Sequence, residues 1–127
     1  MTERIRLVRA SERQAPPAAQ TPGMVREQAF TGERHWVGFA RVEPGMVSGW
    51  HHHGDHLSYL YVISGRGRFE FGPGGSQVVE AEAGDFVEVP PRLVHREMNP
   101  SDEAQTLVVV RMGHGPPLVN VDGPETG

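Results

Sequence analysis

The segment Gly45-Met46-Val47-Ser48-Gly49-Trp50-His51-His52-His53-Gly54-Asp55-His56-Leu57-Ser58-Tyr59-Leu60-Tyr61-Val62-Ile63-Ser64-Gly65 carries three consecutive histidines. A further histidine, His95, recurs inside Gly84-Asp85-Phe86-Val87-Glu88-Val89-Pro90-Pro91-Arg92-Leu93-Val94-His95-Arg96-Glu97-Met98-Asn99. Alternate residues of a strand share a face, so His51 and His53 point one way and Trp50 and His52 the other. Two neutral imidazoles on a rigid strand suit a borderline divalent metal ion. One strand cannot surround an ion, so a third ligand has to come from another strand, and His95 is the candidate. A histidine run can be a purification tag, but this one lies mid-chain within a spaced pattern.

Around these segments, sixteen glycines and eleven prolines punctuate the chain at short intervals. The stretches between them are too short and too β-branched for helices, which predicts an all-β fold. Strands are expected at Val25 to Phe30, Arg34 to Val42, Val47 to His53, Ser58 to Ile63, Arg68 to Phe71, Gln77 to Glu80, Asp85 to Val89, Val94 to Met98 and Gln105 to Met112. Glu43-Pro44-Gly45 has the order of a type II turn, and Gly72-Pro73-Gly74-Gly75 reads as a hairpin tip. The organisation is that of a single domain: an N-terminal strand and extended arm (1–24), a β-barrel (25–113) and a Pro/Gly-rich tail (114–127). Within the first part, Arg4 to Val8 alternates like an edge strand and Ala15 to Gly23 reads as a connector. The tail is expected either to pack as an arm or to hang free.

Composition removes several chemistries. The 127 residues suffice for one domain with its own core. No cysteine is present, so disulfides, thiolate metal sites and cysteine nucleophiles are excluded. All twelve basic residues are arginine, which excludes Schiff-base chemistry and a P-loop lysine. A net charge of −4 with scattered arginines offers no basic patch, so no nucleic-acid partner is expected. The charged N-terminus contains no apolar stretch of signal-peptide or membrane-helix length, which predicts a cytoplasmic protein without membrane contact.

The spacings Gly45-x5-His51-x-His53-x4-Ser58-x6-Gly65 and Gly84-x5-Pro90-x-Arg92-x2-His95-x3-Asn99 resemble the two conserved motifs of the cupin superfamily. The resemblance implies a double-stranded β-helix, a jelly-roll or cupin-type barrel, with a metal ion in its lumen and a second protomer docked against it as a homodimer. Two positions depart from the motifs. Ser58 stands where a glutamate ligand usually closes the first, and Arg92 where the second has glycine. A non-glycine residue at positive φ is uncommon, so the turn at Arg92 is expected to use another conformation. Ser58 leaves three neutral ligands with the full charge of a divalent ion uncompensated, which favours an anionic ligand.

The resemblance extends to three-histidine cupin dioxygenases. It implies a divalent metal, with iron preferred and manganese, nickel or zinc as alternatives, held by His51, His53 and His95. The substrate would be a small anionic or chelating molecule. A non-catalytic small-molecule binding or sensing protein is the competing reading, and an isomerase or lyase the third. His56 is a candidate fourth ligand or catalytic group, although the Gly54-Asp55 turn leaves its register open. Glu97 shares the parity of His95 and is the other candidate acid or base. Leu60, Val62, Val87 and Val89 should make much of the lumen aliphatic, while Tyr59 and Tyr61 face away from Ser58 towards another sheet or protomer. Arg41, Arg66, Arg68 and Arg96 could clamp a carboxylate, but each sits in the alternating pattern of an exposed strand face. Trp36, Phe39 and Trp50 could line a rim or an interface.

Overall fold

The computed structural model describes residues 3–16 and 20–126. Ten strands follow one another: β1 (Met24–Thr31), β2 (His35–Val42), β3 (His51–His52), β4 (Leu57–Ser64), β5 (Arg66–Phe71), β6 (Gln77–Glu82), β7 (Phe86–Val89), β8 (His95–Met98), β9 (Gln105–Met112) and β10 (Val119–Asn120). They form two five-stranded antiparallel sheets, ordered β1-β2-β9-β4-β7 and β10-β3-β8-β5-β6. This is the all-β double-stranded β-helix. Among the described residues no helix is long and apolar enough to cross a membrane.

Side-chain alternation dictates which face of each strand turns inward. On β4, Ser58, Leu60 and Val62 are buried, while Tyr59 and Tyr61 lie on the outer face. There Tyr61 packs against Phe86 with ring centroids 4.9 Å apart. The core between the sheets unites Met24, Ala40, Val42, Leu60, Val62, Leu107 and Val109 of the first sheet with Phe69 and Ala81 of the second. Val87 packs against this cluster and Val89 is itself buried, so the aliphatic lumen is as the sequence predicts. The Glu43-Pro44-Gly45 turn closes with Met46 N donating to Glu43 O and Gly45 at φ 76°, as a type II turn requires.

Three expectations need correction. Residues 4–8 form no strand; the edge of β1 is instead covered at Gln14, whose backbone bridges Gln28. Within the connector, the Gln20 side chain accepts from Arg26 N and donates to Arg26 O, as a further strand would; residues 17–19 lie outside the described residues, as do residues 1–2 of the arm and residue 127 of the tail. The strand expected over 47–53 shrinks to His51–His52 plus a bridge from Val47 to Met98. Gly49 O, which could have entered the ladder, accepts from the His51 ring and the Ser48 hydroxyl. Finally, Arg92 does adopt the left-handed conformation, with φ 59°. Its N–H donates to Gly54 O at 2.8 Å and its guanidinium pairs with Asp55, and these contacts hold an arginine where the steric preference is for glycine.

Candidate metal centre

Strand pairing and three backbone contacts aim three imidazoles at one another. His51 on β3 is the cross-strand partner of His95 on β8, and His53 follows on the same face as His51. Ring centroids are separated by 4.5 Å for His51 and His95, 5.0 Å for His53 and His95, and 5.1 Å for His51 and His53. All three are buried. Each Nδ1 meets a backbone carbonyl: Gly49 O at 2.8 Å for His51, Leu93 O at 2.8 Å for His95, and Pro117 O at 2.9 Å for His53. A carbonyl only accepts, so each Nδ1 carries a hydrogen, and in the neutral form of each ring the lone pair is then on Nε2. The Nε2 of His95 is buried without any protein partner. Potential ligand atoms of the three residues lie within 4.8 Å of one another. An orphaned buried acceptor within such a set, with every tautomer fixed from behind, fits a metal ion.

Burial disfavours the charged form of two of the three rings, His53 and His95. Burial, then the Arg111 guanidinium, then His95 push His53 from its ordinary 6.5 down to about 2. Burial also lowers His95, with Glu97 acting in the opposite direction. Because His53 holds a proton more weakly folded than unfolded, acid favours unfolding: stability is intact above pH 6.5 and declines as pH falls towards the folded value. For the metal-free protein we expect urea unfolding to report a loss of about 2 kcal/mol between pH 6.5 and 5, from about 1.4 kcal/mol per pH unit for one group. The slope should flatten in His53→Gln, and an equal slope in both proteins would contradict this assignment.

The carbonyl behind His53 comes from the C-terminal tail. Residues 114–126 pack as an arm: β10 pairs with β3, Val121 N donates to Trp50 O at 3.0 Å, and His56 Nε2 donates to Gly115 O at 3.0 Å. The arm passes so close to Gly54 that a Cβ there would lie 2.7 Å from Pro116 O, and Gly54 already sits at φ 59°. Gly54→Ala should therefore displace the arm and release the His53 ring. Loss of a contact orienting a ligand typically costs 10–100-fold in metal affinity, and a weakening of about that size is expected in competition against a chelator. A change under about threefold would mean that Pro117 O does not orient His53.

His56 stands outside the three-histidine cluster. The Gly54-Asp55 turn carries it towards the mouth of the barrel, where it borders a cavity of about 340 Å³. Its Nε2 is committed to Gly115 O, and its Nδ1 is buried and unpartnered. Glu97 does face the lumen: with His53, Ser58 and Arg111 it borders a smaller void of about 20 Å³. It too lies outside the histidine cluster. The Oγ of Ser58 accepts from Arg111 Nε at 3.3 Å.

Arg111 is the site residue that the sequence analysis missed. It lies opposite Ser58 on one side and Trp36 on the other, so it belongs to the inward row of Leu107 and Val109 on β9. Parity from those two aliphatic residues was the available signal. Arg26 borders both the cavity and the void as well. Burial first, and then Arg26, draw Arg111 down to about 10. The four arginines weighed from sequence stay outside. Arg68 and Arg96 share Glu70, at 3.0 and 2.7 Å, Arg41 pairs with Glu43 at 3.1 Å, and Arg66 is exposed. Of the aromatic residues, Trp36 lines the cavity, whereas Trp50 lies beneath Arg96 and Phe39 beneath Arg13.

The sequence pattern of the cupin domain family matches residues 38–111, more than half of the chain. No curated protein matches the sequence. Among solved structures, an uncharacterized conserved protein with a double-stranded β-helix domain from Klebsiella pneumoniae superposes with a TM-score of 0.67 at 22% identity, over 83% of this chain and 90% of that one. Oxalate decarboxylase from Bacillus subtilis gives 0.67 at 23% identity over 80% of this chain, which spans only 28% of that enzyme. The cupin domain of Schizosaccharomyces pombe Cnp3 gives 0.65 at 12% identity, over 76% and 66% of the two chains. At these identities the structures speak for the fold alone. Joined to the family pattern, which starts at Gly38 on β2 and ends at Arg111 on β9 and so encloses all three histidines, they lead to one assignment: the chain belongs to the cupin family.

Proposed function

We propose that the protein is a metal-dependent oxygenase in which His51, His53 and His95 hold a divalent ion, preferably iron, and a small anionic molecule is the substrate. The observation that carries this reading is the convergence of three buried histidines, with Ser58, a hydroxyl where a carboxylate ligand could have closed the set, bordering one void with His53. Three protein ligands leave further coordination positions to small molecules. When bound, such an ion supplies Lewis acidity and, as iron, one-electron chemistry with dioxygen. The void of about 20 Å³ beside His53 has room for about one water-sized ligand. Two groups of the chain can take up a substrate proton: the free Nδ1 of His56 at the cavity and the Glu97 carboxylate in the lumen.

Glu97 also favours a second reading, a lyase or isomerase whose proton transfers need no oxygen. Elemental analysis of tag-free protein purified without nickel resin, followed by oxygen-uptake measurements with small chelating acids and diketones, separates the readings. Near-stoichiometric iron with substrate-dependent oxygen consumption is the expected result. Substrate turnover without oxygen consumption would transfer the assignment to the lyase or isomerase, and bound ligand without turnover to a binding protein. Absence of any metal would overturn the proposal.

A further inference from the structure

We propose that Arg26 and Arg111 form a carboxylate-binding subsite at the mouth of the barrel, so that the ligand is an organic monoacid whose apolar body lies along Trp36. The proposal deepens the reading above and rests on it for the link to the metal centre, but not for the anion site itself. Both arginines border the cavity of about 340 Å³, as does His53, so one small molecule can reach the arginines and the histidine cluster together. Among the described residues neither guanidinium forms an ion pair. Arg111 uses only its Nε on Ser58, which leaves both terminal nitrogens for a ligand. Glu97, which borders the small void with both arginines, supplies one counter-charge and raises Arg111; two guanidinium groups against one carboxylate leave an excess positive charge that a ligand anion would neutralise.

The surroundings are built to hold this pair. Gln20 fixes the backbone of Arg26 through two hydrogen bonds, at 2.7 and 3.1 Å. Ala40, the cross-strand partner of Arg26, leaves the lumen beside it open. Trp36 Nε1 donates to Gln28 Oε1 at 2.9 Å; an indole can only donate, so the Gln28 amide must present its oxygen there and keeps its NH₂ donors for another acceptor. Arginine forks match the planar geometry of a carboxylate. Trp36, Leu118, Pro16 and Pro117 give the chamber its apolar surface, while Glu33, His35, His56 and His114 are further polar groups on its wall. Its volume lies at the small end of the range for ligand pockets, about 300–1,000 Å³.

The test uses the full chain, freed of metal, with acetate, benzoate and phenylacetate as probes, each paired with its neutral amide. Binding is read by calorimetry and by the fluorescence of Trp36, with inorganic phosphate as competitor. At least one acid should bind about tenfold or more tightly than its amide, and Arg26→Gln and Arg111→Gln should each remove about that factor. Arg66→Gln, which removes an exposed arginine that does not border the cavity, should leave acid binding intact. Acids and amides binding alike, or phosphate displacing the probes at lower concentration than any acid, would overturn the proposal. The comparison of acid with amide is made on the unaltered protein, so it holds even if an arginine variant fails to fold. Acid binding in a protein that never acquires metal would sink the oxygenase reading and leave the carboxylate subsite standing.

Discussion

His95→Ala is expected to unfold at one temperature whether or not divalent metal is present, while the unaltered protein gains stability from the metal. The reasoning starts from the orphaned Nε2. In the metal-free protein that buried acceptor is a cost, offset by the Nδ1 hydrogen bond to Leu93 O. Removing the ring therefore removes a penalty together with a contact, and the metal-free proteins should differ modestly. A ligand that binds only the folded state stabilises by about 2.7 kcal/mol at 100 times its Kd. The variant keeps two of three protein donors and should lose that gain at the same metal concentration. Thermal unfolding of both proteins, with and without added iron or manganese, reads the difference. If His95 were an ordinary core histidine, alanine would instead lower the stability of the metal-free protein strongly and the metal would shift neither protein.

What was legible in the sequence, and what was not, follows from which groups do the work. His95 and Ser58 were found from the spacing of the two motifs, whereas His51 and His53 were paired by strand parity, which needs no knowledge of neighbours. Tyr59 and Tyr61 were placed outward by the same rule, as the structure shows. Arg111 escaped because the run Leu107-Val108-Val109-Val110 is apolar on both faces, which hides the parity that would have shown it pointing inward. The Pro117 carbonyl behind His53 could not be read at all: it is a backbone group brought from 64 residues away, and any residue type would supply it. His56 was ambiguous for a local reason, since the left-handed Gly54 resets the alternation between His53 and Ser58. Alternation at residues 4–8 suggested a strand, but an edge needs a partner, and the edge of β1 is taken by Gln14 and the Gln20 side chain.

Asn99→Ala should cost about 3–5 kcal/mol, because four hydrogen bonds are lost by a side chain shielded from bulk solvent. Asn99 is 1% exposed and closes the second motif. Its Nδ2 donates to Val42 O at 3.2 Å and to Glu103 O at 2.7 Å; its Oδ1 accepts from Ser101 N at 3.0 Å and Ser101 Oγ at 2.8 Å. The end of β2 and the turn before β9 are thereby tied to one amide. Its backbone extends the junction to the first motif, accepting from Gly45 N and donating to Met46 O. An alanine keeps the backbone bonds but leaves the buried Val42 carbonyl and the partly buried Glu103 carbonyl and Ser101 N–H short of partners. Asn99→Asp is the sharper comparison: the shape is preserved, yet a carboxylate presents acceptors to Val42 O and Glu103 O, so the two variants should be similarly destabilised. Chemical denaturation of the metal-free proteins measures the effect apart from metal binding. A loss below about 1 kcal/mol in both would show that Asn99 does not join the two motifs; the expected loss would make a side chain remote from the metal ligands the residue that holds β2 and the two histidine-bearing segments in register.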